Sequence, residues 1–201
     1  MPDGITVLNI REYLSAAGDK ELGEKELQRL FSEFTCDKNP DVQNFLKENS
    51  IDFTRKNQSV TFLVFSDEDA LLIGYFTIAI KPISVKAEQF SNTVKRKLAR
   101  VSELDKTSGT YHLSAYLIAQ LGKNFKDGLD KRITGEQLLQ AAVNTIKVLQ
   151  YMAGGMVVFL ETENVENLLQ FYEQKNGFKK FDTRKTKSEH PHLLVQFLKI
   201  L

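Results

Sequence analysis

Apolar positions recur at spacings of three and four between Glu24 and Phe34, where Leu27, Leu30, Phe31 and Phe34 share one stripe and predict an amphipathic helix. Asn39-Pro40 then supplies an N-cap and a favourable first residue for a second helix carrying Val42, Phe45 and Leu46. Both helices are expected to pack over one face of a sheet. Before them, Ile5 to Leu8 with Ile10 has the pattern of either a short strand or a segment that only docks. Val60 to Phe65 and Leu71 to Ile80 are apolar, β-branched runs joined by Ser66-Asp67-Glu68-Asp69-Ala70, which predicts a β-hairpin with an acidic turn. Gly74 inside the second run marks a bulge or a close approach. Ser91 is placed to cap a helix bearing Val94, Leu98 and Val101. Tyr111 to Leu121 reads as a long strand closing at Gln120-Leu121-Gly122, and Phe178 to Thr183 and Leu193 to Leu198 as the last two strands.

The stretch from Asp130 to Phe178 is the most strongly patterned. Thr134-Gly135-Glu136-Gln137 is a capping box: the Thr134 hydroxyl can accept the Gln137 N–H while the Gln137 side chain reaches back to Thr134. Leu138, Leu139, Ala142, Val143, Ile146 and Leu149 follow at helical spacing, and Gly154-Gly155 ends the helix. Met156 to Leu160 has the length and composition of a buried strand, parallel to its neighbour because a crossover helix precedes it. A further helix from about Asn164 puts Val165, Leu168, Leu169 and Tyr172 on one side and stops at Asn176-Gly177.

The string Gly135-x-x-Leu138-Leu139-x-x-Ala142, an apolar strand, and then Phe171-Tyr172-Glu173-x-Lys175-Asn176-Gly177-Phe178 resembles the acetyl-CoA core of GNAT N-acetyltransferases. In that family the helix follows a Gln/Arg-x-x-Gly-x-Gly/Ala loop whose amides hold the CoA pyrophosphate. With Gly135 as the final residue of the loop, Asp130 and Ile133 stand where Gln/Arg and Gly are usual; the other register is Arg132-x-x-Gly135-x-Gln137. An asparagine is usual seven residues before the tyrosine, and here Val165 holds that place with Asn164 beside it. The resemblance implies a single-domain α/β fold over residues 1–201. Its mixed, mostly antiparallel central sheet has about six or seven strands with helices on both faces, and residues of about 82–106 form a basic helical insertion. It further implies acetyl-CoA as co-substrate, bound through Gln120, Leu121, Gly122, Lys131, Arg132, Ile133, Thr134, Gly135, Glu136 and Asn164, and catalysis through Tyr172.

Phe34-Thr35-Cys36, Phe45-Leu46, Ser59 to Val64 and Gly74-Tyr75-Phe76 are also similar to the N-terminal half of a GNAT subgroup. That subgroup includes toxins of toxin/antitoxin pairs that acetylate the amino group of aminoacyl-tRNA. Cys36-Asp37 and Pro40-Asp41 replace its usual Cys-Gly and Leu-Asp. This likeness implies tRNA and an antitoxin as partners, and a homodimer as a further one.

Composition narrows the field without choosing within it. At 201 residues the chain is long enough for a substantial core, and 42% hydrophobic with 26% charged residues is ordinary for a globular protein. A net charge of +1 means that any basic surface must be local. The absence of a long apolar run or basic-apolar leader points away from membranes and to the cytoplasm. Cys36, alone of its kind, reads as a structural thiol, and His190-Pro191-His192 as a turn into the last strand, with no metal expected.

Acetyl transfer needs a neutral amine, a polarised thioester carbonyl and a proton for the leaving thiolate. A tyrosine, protonated at neutral pH with a pKa of ~10, can supply the proton, which suits Tyr172; the alternative is a ring that only packs. Carbonyl polarisation is expected from a backbone N–H near Leu121. Glu161 and Glu163 end or follow a core strand without declaring a general base. Lys95, Arg96, Lys97 and Arg100 form one basic run, and Lys175, Lys179, Lys180, Arg184, Lys185 and Lys187 another. Either is a solvated face or a contact for a phosphate backbone. Three functions therefore stand: acetylation of aminoacyl-tRNA, acetylation of a small amine or protein amino group, and non-catalytic CoA binding.

Overall fold

Alternating and β-branched runs dominate the strands, and their hydrogen bonding sets the architecture. The computed structural model describes residues 4–15, 20–186 and 191–201; Lys187 and His190 lie outside the described residues. The strands are β1 (Ile5–Asn9), β2 (Val60–Ser66), β3 (Leu72–Lys86), β4 (Leu104–Asp105), β5 (Thr110–Lys123), β6 (Val157–Glu163), β7 (Lys179–Lys185) and β8 (Leu193–Ile200). They form one mixed, mostly antiparallel sheet in the order β1-β2-β3-β5-β6-β8-β7, with β4 paired to β5. The fold class is α/β, as expected. The count reaches eight because Ile5–Asn9 does pair and because the two-residue β4 is too short to leave a pattern. Contacts gather the chain into two compact units, Met1–Ala79 with Ile118–Ile146 and Ile80–Leu117 with Lys147–Leu201.

In the first unit, β2 and β3 form the expected antiparallel hairpin, with a bulge between Val64 and Phe65. The side chains of Leu63, Phe65, Leu72 and Tyr75 meet Leu27 and Phe31 of α2 (Lys20–Ser32), Phe34 just past its end, and Val42 and Leu46 from the next helical stretch. That stretch runs through α3 (Pro40–Asn44), a π-helical turn (Phe45–Asn49) and α4 (Ser50–Arg55); a short α1 (Ile10–Ser15) precedes α2. The Asn39 side chain accepts from Val42 N–H at 3.3 Å, so the cap read from Asn39-Pro40 is formed. Each fully buried Phe or Leu here contributes about 1.5–3 kcal/mol. Gly122 is required by packing, since a Cβ there would lie 2.4 Å from Val42 Cγ1. β5 therefore continues through Gly122 to Lys123 and does not close at Gly122. At its end the side chain of Asn124, fully buried, donates to the carbonyls of Glu33 (3.0 Å) and Leu72 (2.8 Å) and accepts from the N–H groups of Thr35 (3.0 Å) and Lys126 (3.1 Å).

In the second unit, β6 and β8 are antiparallel in the register Val157↔Ile200 to Glu163↔Leu194, and β7 pairs β8 antiparallel on its other side. Phe159, Val157, Leu198 and Phe181 share a core with Tyr111, Leu113, Ile83 and Val85. Helix α5 (Asn92–Leu98) packs Leu98 into the same core, capped by Ser91, whose Oγ accepts from Val94 N–H at 3.4 Å. The helix is shorter than its apolar spacing predicts: Val101 lies past its end and is 50% exposed. Helix α7 (Glu166–Gln170) likewise departs from the expected buried stripe, for Val165 and Leu168 are exposed and the chain then passes into a π-helical turn, Phe171–Lys175.

Candidate functional site

Helix α6 (Gly135–Ala153) starts as its sequence dictates: Gln137 N–H donates to Thr134 Oγ1 at 3.1 Å and Thr134 N–H to Gln137 Oε1 at 2.8 Å. The reciprocal pair satisfies two backbone donors. The amides of Gly135 and Glu136 carry no partner among the described residues of this unit, and they sit at the positive end of a 19-residue helix. Ile133, where the GNAT loop usually has glycine, buries its side chain and so anchors the loop from beneath. Lys131 is exposed and has no acidic partner among the described residues, whereas Arg132 pairs with Asp69. Lys123 Nζ donates to the Asp130 carbonyl at 2.7 Å and ties the end of β5 to the loop. Two free amides, a fixed turn and an unpaired lysine fit an anion such as a pyrophosphate.

β5 occupies a central place in the sheet order, yet Ala119 is exposed and Gln120 and Leu121 are only half-buried. An interior strand with accessible residues is what a cofactor aligned along its backbone requires. Gly122 is buried under Val42, so it serves packing first.

The second unit holds Tyr172 and Asn164. Asn164 is exposed beside the start of α7 and makes no capping bond there. Tyr172 lies in the π-helical turn, its ring centre 5.0 Å from that of Phe171, 6.1 Å from Phe178 and 6.0 Å from Phe197. Burial of the phenol pushes its pKa up to about 12. Its hydroxyl makes no hydrogen bond with any described residue, so the proton is held and unshared. The turn is closed by Asn176 Nδ2 donating to the Phe171 carbonyl at 2.8 Å, with Gly177 at φ 67°, the left-handed conformation that suits glycine.

Sequence reasoning missed a second feature of this unit. A cleft of about 400 Å³ is lined by Lys81, Phe159, Glu161, Phe181, Asp182, Arg184 and Gln196, among others. Arg184 grips Glu161 with Nε at 2.5 Å and with its terminal Nη2, and Gln196 Nε2 donates to the same carboxylate at 2.6 Å. Three donors thus hold the Glu161 carboxylate in one orientation in the cleft. The pairing of Glu161 with Gln196 in the β6–β8 register is the signal that strand alternation could have given.

Of the basic runs, Arg96, Lys97 and Arg100 are exposed and Lys95 half-buried, and none of the four meets an acid among the described residues. Lys179, Lys180 and Lys185 are exposed along β7, while Arg184 is spent on Glu161. Cys36 is buried, and burial raises its thiol pKa, in keeping with packing. Among the described residues no helix is long and apolar enough to cross a membrane.

No protein-family model matches this sequence, and no curated protein is similar to it in sequence. Solved structures are similar to it in fold. AtaT complexed with acetyl-methionyl-tRNAfMet superposes with a TM-score of 0.62 at 14% identity, covering 95% of this chain and 93% of that one. A tyrosine-to-phenylalanine mutant of KacT gives 0.59 at 16% identity over 96% and 94%. The corresponding kind of mutant of the AtaT toxin, bound to the C-terminus of the antitoxin AtaR and acetyl-CoA, gives 0.58 at 15% identity over 98% and 94%. The GNAT-like fold inferred from the motifs thus extends over nearly the whole chain.

Proposed function

We propose that the protein is an N-acetyltransferase that moves the acetyl group of acetyl-CoA to the α-amino group of an aminoacyl-tRNA. The observation that carries this reading is Tyr172, a protonated phenol with no hydrogen-bond partner among the described residues, in a chain similar in fold to AtaT over 95% of its length. The amides of Gly135 and Glu136 with Lys131 hold the pyrophosphate, and the accessible backbone from Ala119 to Leu121 aligns the thioester and polarises its carbonyl. Attack by the neutral amine forms the amide bond, the carbon–sulfur bond breaks, the Tyr172 hydroxyl protonates the departing thiolate, and the proton shed by the nitrogen passes through solvent to restore the phenol. With no general base assigned, the amine must arrive largely neutral. An α-amino group, with a pKa of ~8, meets that condition far better than a lysine at ~10.4.

The acceptor's phosphates fall to Lys95, Arg96, Lys97 and Arg100, which makes residues 82–106 an insertion devoted to the acceptor within one acetyltransferase domain. A charged-tRNA acceptor places the work in the cytoplasm, and the AtaR complex of AtaT makes an antitoxin the second expected partner. The test is transfer of labelled acetyl from acetyl-CoA to charged tRNA, run beside a polyamine and a lysine-rich peptide. Labelled aminoacyl-tRNA is the expected product. Labelling of the polyamine or peptide alone replaces the acceptor, and failure to bind acetyl-CoA at all leaves a non-catalytic protein.

A further inference from the structure

The cleft beside Glu161 has a floor and a rim of different chemistry. Phe159 and Phe181, 4% and 5% exposed, form an apolar floor with Ile83 and the half-buried Leu117, while Lys81 and Asp182 stand exposed at the rim. Between floor and rim the Glu161 carboxylate and the Arg184 guanidinium neutralise each other. Phe181 reaches this place through an irregularity of the sheet. The β7–β8 register runs Lys180↔Phe197 and then Asp182↔Gln196, which leaves Phe181 as the extra residue of a bulge. Bulges re-aim a side chain and gather beside active sites. The cleft also stands back to back with the phenol. Gln196 lines it, and the next residue, Phe197, has its ring centre 6.0 Å from that of Tyr172. Successive side chains of a strand point to opposite faces, so the cleft and Tyr172 occupy opposite faces of β8 at the same level.

We infer, resting on the aminoacyl-tRNA acceptor proposed above, that this cleft receives the amino-acid side chain of the acceptor and selects a large apolar one, with Phe181 as a specificity-determining residue. The side chain and the reacting nitrogen leave the same α-carbon, so holding one positions the other. The amine approaches from the cleft while Tyr172 meets the thiolate from the opposite face. A volume of about 400 Å³, at the small end of the ~300–1,000 Å³ of ligand clefts, suits a single aminoacyl group. An aromatic or branched aliphatic side chain covers the floor, and an aromatic one adds ring contacts with Phe159 and Phe181. Glycine leaves the floor wet. A charged side chain loses its hydration and finds Glu161 and Arg184 already paired with each other, so it is rejected.

The test is kcat/KM for acetylation of one tRNA body charged in turn with phenylalanine, leucine, glycine, aspartate and lysine by an acylating ribozyme, so that only the side chain varies. The phenylalanyl and leucyl forms are expected to exceed the other three by ~10- to 200-fold. Phe181→Leu removes the ring contact and should cut the phenylalanine-to-glycine ratio several-fold. Leu117→Trp fills the cleft from β5 and should cut it ~10-fold or more. Far-UV circular dichroism confirms that each variant is folded; should Phe181→Leu disturb the core, Leu117→Trp, at a half-buried position, carries the test alone. Near-equal rates for all five forms overturn the inference, as does a preference for glycine or a charged side chain, or a ratio that neither variant moves. A chain that binds acetyl-CoA yet acetylates none of the five removes the acceptor itself and this inference with it, an outcome distinct from acetylation without selectivity.

Discussion

Thr35 donates its backbone N–H to the Oδ1 of Asn124 across 89 positions of sequence, at 3.0 Å. The same amide serves Glu33, Leu72 and Lys126, so one side chain fastens the end of α2, the start of β3 and the exit of β5 at once. Asn124→Ala strands the buried Leu72 carbonyl and takes a partner from the part-buried Glu33 carbonyl and the Thr35 and Lys126 N–H groups. The expected loss is about 2–4 kcal/mol of unfolding free energy, read from the urea midpoint at unchanged slope. Asn124→Asp, which keeps the acceptor and loses both donors, should fall in the same range.

Thr134→Ala removes the cap of α6 and should cost about 1 kcal/mol, while Thr134→Ser should cost little. The same experiment separates capping from binding. Gly135→Glu puts bulk and negative charge at the helix start and is expected to weaken acetyl-CoA binding in calorimetry, whereas Thr134→Ser leaves it unchanged.

Tyr172→Phe deletes a hydroxyl that bonds to none of the described residues, so thermal stability should hold within a degree or two. Turnover is expected to fall ~100-fold or more with acetyl-CoA affinity nearly constant. A few-fold change in turnover would assign the ring to packing.

Proton linkage gives a second view of the same residue. Its pKa is about 12 in the folded protein and ~10 when unfolded, so between those values the unfolded chain binds fewer protons and stability falls as pH rises. Below pH ~10 the contribution is constant. Denaturation of wild type and Tyr172→Phe should therefore run parallel up to that pH and diverge above it. In turnover, Tyr172 imposes no alkaline limb below pH ~10, and the rate should climb until the acceptor amine is neutral, near pH ~8 for an α-amino group.

Replacing Lys95, Arg96 and Lys97 with Glu should abolish most tRNA acetylation and leave acetyl-CoA binding intact. Wild-type affinity for tRNA should drop steeply with salt, and the variant should show a shallower slope, as fewer counterions are released. Normal tRNA acetylation by the variant would return the run to a solvated face.

The parts of this fold that could be read in advance are those governed by local chemistry. The Thr134–Gln137 box, the Asn39-Pro40 cap and the β2–β3 hairpin depend on neighbours in sequence, and each is formed. Features made by distant residues left no trace. Nothing near Asn124 marks it as a buried hub, and the Arg184–Glu161 pair joins strands 23 positions apart. The stripe of Val165, Leu168 and Tyr172 was legible as a pattern but not as an environment: Val165 and Leu168 are exposed, and Tyr172 lies beyond Gln170 in a π-helical turn that the 3.6-residue period does not describe. Ile133 shows the reverse: the residue that stands where the GNAT loop usually has glycine is buried, and so supports the turn from beneath.

β7 closes the sheet order, so one side of its backbone faces no further strand among the described residues. Lys179, Lys180 and Lys185 stand exposed along that edge. A second edge approaching it would set ammonium groups against one another before any ladder could form. At a net charge of +1 the molecule has little overall repulsion to keep copies apart. These lysines therefore act as a guard against open-ended, strand-to-strand polymerisation, and exchanging them together for alanine should give a folded chain that precipitates.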